Sequence, residues 1–145
     1  MRHGRVWAVC SVIVVLGLVA DASEEPSKEY IDAMKTLAIV AQGMNPAIDA
    51  GAYTAMNELV ILARPALAVL EKYWMEREVE DATDLAQAAS KSIAEIAVAV
   101  HLLSLSQNPL AIEGAQVATR NFLGTCKACH TGHREALPDG GYRIK

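Results

Sequence analysis

Apolar side chains recur along most of this chain at alternating steps of three and four residues, which places them on one face of an α-helix. Little of the sequence alternates with the period of two that is typical of a strand. Four apolar stripes are separated by stretches that contain Pro, Gly, Asn and Ser, the residues that interrupt helices. The pattern therefore predicts four amphipathic helices.

The first predicted helix follows Ser27, whose hydroxyl can cap a first turn, and it ends between Gly43 and Gly51. The second starts near Ala52 and is either kinked or interrupted at Pro65, because proline supplies no amide hydrogen. The stripe of the first helix is Tyr30, Met34, Leu37, Ala41, Met44 and Ile48, and that of the second is Ala52, Met56, Leu59 or Val60, Ala63, Leu67, Leu70 and Trp74.

The third predicted helix has the most regular stripe, and the break at residues 106–109 places Pro109 in the first turn of the fourth helix. The fourth helix is expected to fray after Arg134, and residues 138–141 form a turn that leads into a tail. The third stripe is Val79, Ala82, Ala86, Ala89, Ile93, Ile96, Val100 and Leu103, and the fourth is Ala111, Ala115, Ala118, Phe122, Thr125 and Cys129.

Four amphipathic helices with short connections favour an all-α fold, an antiparallel up-down-up-down four-helix bundle. In that topology the end of the fourth helix lies beside the start of the first, the end of the second and the start of the third. Residues that are far apart in sequence therefore meet at one end of the bundle.

The N-terminus has the pattern of a secretory signal peptide: a basic opening to Arg5, an apolar run over residues 6–20, and Ala-x-Ala ending at Ala22. Cleavage there predicts a leader over residues 1–22, which includes Cys10, and a mature domain over residues 23–145. A membrane anchor is the alternative, but the run is shorter than the roughly 20 residues that a spanning helix needs. The mature chain is thus expected to be soluble in the periplasm.

Composition supports an ordinary globular domain, since 52% of the residues are hydrophobic and 21% are charged. Of the 13 basic and 17 acidic side chains, the leader removes Arg2, Arg5 and Asp21, which leaves 11 basic and 16 acidic. Because phosphate contacts need clustered Lys and Arg, this balance argues against a nucleic-acid partner.

The sequence Cys126-Lys-Ala-Cys129-His130 has the C-x-x-C-H spacing of covalent haem attachment. Two thiols three residues apart lie on one side of a helical turn, where both can form thioethers with the vinyl groups of one porphyrin edge. The adjacent imidazole of His130 can then reach the iron. The motif predicts one haem c per chain.

Three other uses of these residues compete with haem attachment. A redox dithiol is expected at a helix start after a strand, and this motif instead ends a long helix. A zinc site that adds His133 would need ligands about 10 Å apart along the helix axis to reach one ion. A disulfide between Cys126 and Cys129 would strain a regular helix and close a very short loop.

The chain resembles the class II cytochromes c, a family that includes cytochrome c prime and its low-spin relatives. The resemblance rests on four helices, a haem motif near the C-terminus, and a basic residue, Arg134, at the family's position after the motif. His133 stands where the family has an aromatic residue, and Tyr30 stands where it has Arg four residues before Met34. The resemblance implies haem propionate contacts from Tyr30, His133 and Arg134, and a homodimer through the first two helices.

Met34, in the second turn of the first helix, is at the height at which a side chain could oppose His130. It either ligates the iron as a sixth, thioether ligand or crowds an open sixth position. Trp74 is expected to cover the porphyrin face or edge. Met44 and Met56 are expected to fill the core, and His101, some 20 residues into the third helix, lies too far away to be a ligand.

Two functions remain open at this stage, and neither is enzymatic. A six-coordinate iron suits electron transfer with a redox partner protein. Lys127 and Arg134 either orient that partner or are ordinary solvated surface residues. A five-coordinate iron suits the binding of a small diatomic gas such as nitric oxide or carbon monoxide. No nucleophile, base and orienting residue fall at a spacing that suggests hydrolysis.

Overall fold

The computed structural model describes residues 26–106, 108–138 and 141–145, so the predicted leader over residues 1–22 and the predicted start of the mature domain lie outside the described residues. The elements in chain order are α1 (Lys28–Asp49), α2 (Tyr53–Met75), α3 (Glu80–Leu105), α4 (Pro109–His133), β1 (Arg134–Ala136) and β2 (Tyr142–Ile144).

The four helices form the predicted four-helix bundle. Helix α1 packs on α2, α2 on α3, and α3 on α4, while α1 and α4 close the bundle through a much smaller contact. The connections between successive helices are only three or four residues long, which makes neighbours antiparallel and gives the up-down-up-down order. The smaller contact leaves a seam between α1 and α4.

Local signals account for the helix ends. The Ser27 hydroxyl accepts a hydrogen bond from the Tyr30 amide at 3.2 Å, as predicted for the first cap. At the other end of α1, Gly51 adopts a left-handed φ of 61°, and the next amide, that of Ala52, donates to the Ala47 carbonyl at 2.8 Å. Helix α4 begins with Pro109.

Helix α2 ends in the same kind of capping turn, but without a glycine. The Glu78 amide donates to the Met75 carbonyl at 3.1 Å, and the Val79 amide donates to the Trp74 carbonyl at 3.3 Å. Glu78 has a φ of 56°, a conformation that costs an L residue about 1–2 kcal/mol. The turn holds the backbone of Trp74 at the end of the bundle where α3 starts.

The prolines interrupt less than their positions suggest. Pro46 lies inside α1, which continues to Asp49 and so ends between Gly43 and Gly51 as predicted. Pro65 lies inside α2 and starts no new segment. The carbonyl that Pro65 leaves without a helical donor belongs to Ile61, an exposed residue, so water can satisfy it.

The hydrophobic core is formed by the apolar stripes that the sequence predicts, which face the interior of the bundle. Every member of the α3 stripe after Val79 is buried, and Met44 and Met56 are fully buried as predicted for core residues. Alanines on α3 and α4 let the backbones approach closely. The largest fully buried side chains are Trp74, Phe122, Met44, Met56, Leu67, Ile93 and Ile96.

Helices α2 and α3 are long and apolar enough to cross a membrane by length and composition alone. Core helices of soluble proteins have the same property. In this structure the buried sides of both helices face the other helices of the bundle.

The expectation of a C-terminal tail was wrong. Strands β1 and β2 pair antiparallel, with Glu135 opposite Arg143 and Arg134 opposite Ile144. The Arg134 guanidinium lies 3.2 Å above the Tyr142 ring, and Arg143 Nε is 2.7 Å from Glu135 Oε2. Because Arg134 already belongs to the strand, α4 ends at His133 instead of fraying beyond it. These cross-strand pairs stabilise a hairpin.

Candidate functional site

The last turns of α4 carry Cys126, Cys129 and His130, all half-buried, along one side of a cavity of about 90 Å³. This inner cavity lies in the seam between α1 and α4, and α2 and α3 form its floor. Its lining contains no Lys, Arg, Asp or Glu, and most of the residues that line it are Leu or Ala.

A second, outer cavity continues from the inner one toward the end of the bundle, and its volume of about 440 Å³ is within the roughly 300–1,000 Å³ that is usual for small-molecule and cofactor sites. Helix α1 and the C-terminal hairpin form its sides, with Tyr30 and Lys35 from the helix and Arg134 and Arg143 from the hairpin. The residues common to both cavities are Met34, Ala38, Trp74, Cys129 and His130. The two cavities therefore form one continuous site.

Met34 lines both cavities from α1, and His130 lines both from α4. The structure thus brings together the two residues that the bundle topology placed at one height. Met75 is at the same end of the bundle but is 59% exposed and lines neither cavity. His101 is exposed in the last turns of α3 and also lines neither.

Trp74 is only 1% exposed, and its ring packs against the rings of Tyr73 and His133, each 5.1 Å away between centroids. Its indole Nε1 is buried and has no hydrogen-bond partner among the described residues. Leaving a buried donor unpaired costs about 1–3 kcal/mol. An acceptor on a molecule bound in the cavities would remove that cost.

Tyr30 belongs to an aromatic cluster at the α1 side of the outer cavity. Its ring lies 4.0 Å from the Tyr73 ring between centroids, and the Arg77 guanidinium lies 3.6 Å above Tyr73. Burial, followed by the negative field of Cys129, raises the pKa of Tyr30 far above its ordinary value, so the phenol stays protonated. Tyr30 both packs in the core and borders the site.

The thiols are protonated and poorly nucleophilic in this environment. Burial, reinforced by Cys129, raises the pKa of Cys126 to about 11, and burial followed by Asp81 raises the pKa of Cys129. A redox-active dithiol depends on the opposite shift, a lowered thiol pKa. Both cysteines are free thiols in this structure.

His130 is held in its neutral form. Burial, followed by the positive charge of Arg134, lowers the pKa of His130 below its ordinary value. Neutral imidazole is the form that binds a metal ion.

The described residues contain no group of three His, Cys, Asp or Glu side chains that could hold a metal ion, so they give no support to the zinc alternative. His133 instead approaches α3. Its Nε2 lies 3.1 Å from Asp81 Oδ2, close enough for an ion pair, but the two groups are not aligned for a hydrogen bond. A haem iron needs only one or two protein ligands, so it requires no such cluster.

The sequence argument missed Lys35 and the hairpin residues Tyr142, Arg143 and Ile144, which line the outer cavity. The signal that could have found the hairpin is the sequence Pro-Asp-Gly-Gly between two short runs, a composition typical of hairpin connections. Lys35 was one of several exposed charges on the first helix, and nothing local distinguishes it.

The donor set fits a covalently attached haem: two thiols on one turn, an adjacent neutral imidazole, an apolar cavity and a buried indole N–H that lacks an acceptor. No protein-family model, curated protein or solved structure matches this chain in the comparisons with known proteins. The interpretation of the site therefore depends on the residues themselves.

Proposed function

We propose that this chain is a periplasmic c-type cytochrome that carries one covalently bound haem and transfers electrons. One observation carries the proposal: Cys126, Cys129, His130 and Met34, the four residues that haem attachment and axial ligation would use, line one continuous site in the seam between α1 and α4. The resemblance to class II cytochromes c agrees with the bundle and with the position of the motif.

The residues of α4 would hold the haem. Cys126 and Cys129 form the two thioether bonds, and His130 gives its imidazole nitrogen to the iron. Burial keeps that imidazole neutral, as ligation requires. Bound in this way, the haem supplies a one-electron iron couple.

The other residues that line the site would set the reduction potential of the iron and keep water away from it. Met34 would give a thioether ligand from α1, which would raise the reduction potential and favour electron transfer over the binding of a diatomic gas. The apolar side chains of the inner cavity, such as Leu37 and Leu70, exclude water from the site. The indole N–H of Trp74, which has no partner among the described residues, would be available to an acceptor group of the cofactor.

The predicted leader directs the chain to the periplasm, where the mature domain over residues 23–145 is soluble and exchanges electrons with a redox partner protein. Lys127 is exposed immediately beside the first cysteine of the motif. On a protein with a surplus of acidic residues, this cation orients an acidic partner toward the haem edge. The family resemblance adds a homodimer through α1 and α2.

Intact-mass measurement of the protein exported by a bacterium with a cytochrome c maturation system tests the proposal. We expect the mass of the chain from Ser23 plus one haem, together with a Soret band that survives denaturation. The double variant Cys126→Ser with Cys129→Ser should be colourless, whereas Cys10→Ser, in the predicted leader, should keep the haem. An exported wild-type protein with two free thiols and no Soret absorbance would refute the proposal.

A further inference from the structure

The outer cavity has an unusual charge balance for this protein. Its lining includes the cations Lys35, Arg134 and Arg143 and, among the described residues, no Asp or Glu. The whole chain has four more acidic than basic residues. The inner cavity, in contrast, has no Lys, Arg, Asp or Glu in its lining. The site therefore changes from apolar to cationic along its length.

This gradient matches an amphipathic cofactor. A haem has vinyl groups at one edge and two carboxylates, the propionates, at the other. Cys126 lines only the apolar inner cavity, so the vinyl edge of a haem attached there would lie in that cavity and its propionates would face the cations of the outer cavity. Carboxylates are stabilised by charge-assisted hydrogen bonds from Lys and Arg.

Two of the three cations come from opposite sides of the cavity. Lys35 lies on α1, with Nζ 3.8 Å from Asp32 Oδ1, which also pairs with Lys28, so its nearest ion pair is a long one. Arg143 lies on β2, where Glu135 holds its Nε at 2.7 Å and fixes the guanidinium beside the cavity. The third cation, Arg134, stacks on Tyr142.

We propose that Lys35 and Arg143 are positioning residues that bind the two haem propionates from opposite sides, and that the C-terminal hairpin serves to place Arg143. This inference rests on the proposed function. It assigns a role to the element that the sequence did not predict, and it explains why a surface hairpin beside the site carries a cation fixed by a cross-strand ion pair.

The midpoint reduction potential of the holoprotein tests the proposal. The variants are Lys35→Met and Arg143→Met, with Lys91→Met, on the far face of α3, and Arg64→Met, exposed on α2, as matched controls. A nearby cation favours the ferrous state, which carries one positive charge less than the ferric state. We expect each test variant to lower the reduction equilibrium constant about threefold to tenfold, which corresponds to about 30–60 mV at 59 mV per tenfold for one electron.

The conservative variants Lys35→Arg and Arg143→Lys should restore most of the potential, because they keep the charge. If Arg143→Met fails to fold, Lys35→Met, at an exposed position of α1, still tests the inference. If Lys35→Met and Arg143→Met retain covalent haem and their potentials stay within the range of the two controls, this inference is overturned while the proposed function stands. An exported wild-type protein without haem would refute the proposed function and this inference together.

Discussion

Replacement of Met34 separates the electron carrier from the gas-binding alternative. Met34→Leu removes the sulfur while keeping most of the side-chain volume, and Met34→Ala also opens space in the two cavities that this residue lines. If Met34 ligates the iron, both variants should have a vacant sixth position and a lower reduction potential.

The fold should survive both changes. A volume-conserving apolar exchange usually costs less than about 1.5 kcal/mol. Met34 is only half-buried, so Met34→Ala should cost about 1–2.5 kcal/mol, below the roughly 2–5 kcal/mol of a fully buried methionine. A domain of this size has about 6–18 kcal/mol of stability. A changed spectrum would therefore report ligation and not unfolding.

Titration of the reduced protein with carbon monoxide, monitored by the optical spectrum, measures the apparent affinity of the iron for this gas. If Met34 occupies the sixth position in about 99% of ferrous molecules, the apparent affinity for carbon monoxide is about 100-fold below that of the open site. Met34→Leu should then raise the affinity by about 100-fold. Met75→Leu, at the same end of the bundle but outside both cavities, is the matched control.

One result would refute the reasoning. If the wild-type protein binds carbon monoxide as tightly as Met34→Leu does, and its spin state is the same, Met34 only packs beside the iron. The protein would then be a five-coordinate binder of diatomic gases, and the site would have to be interpreted without a thioether ligand.

Three further predictions concern stability, measured as the free energy of unfolding in urea. Glu78→Gly should stabilise the protein by about 0.5–1 kcal/mol, because glycine adopts the φ of 56° without the strain of a side chain. Thr119→Val should stabilise by about 1 kcal/mol, since the buried Thr119 hydroxyl has no partner, whereas Thr83→Val should destabilise because that hydroxyl bonds a carbonyl at 2.9 Å. Phe122→Ala, at a fully buried position, should cost about 3–5 kcal/mol. The opposite sign in any of these would contradict its stated cause.

The helical periodicity was sufficient to predict the bundle, because burial of one stripe per helix dominates the fold. On α3, Ile93, Ile96 and Val100 are buried as the three-and-four spacing predicts. The prolines were harder to interpret. Whether Pro46 or Pro65 breaks a helix depends on how the freed carbonyl is solvated, which tertiary packing decides.

In the site, too, some features could be predicted from the sequence pattern and others depend on tertiary packing. The antiparallel topology alone placed Met34, Trp74 and His130 at one end, and the structure brings them around one cavity. The hairpin could not be predicted in this way, because three-residue strands are too short to show a period of two. Its stability comes from cross-strand pairs such as Glu135 with Arg143, which have no signature in the linear sequence.

The seam between α1 and α4 has a consequence for assembly. These two neighbours are not joined by a connecting loop, so they can part without disturbing the other three helix–helix interfaces, and a flat molecule can enter sideways between them. Under the proposed function, a cofactor tethered to α4 and ligated from α1 would reinforce the smallest of the four helix–helix interfaces. The first and last helices of the bundle would then be held together more firmly by the ligand than by their own contacts.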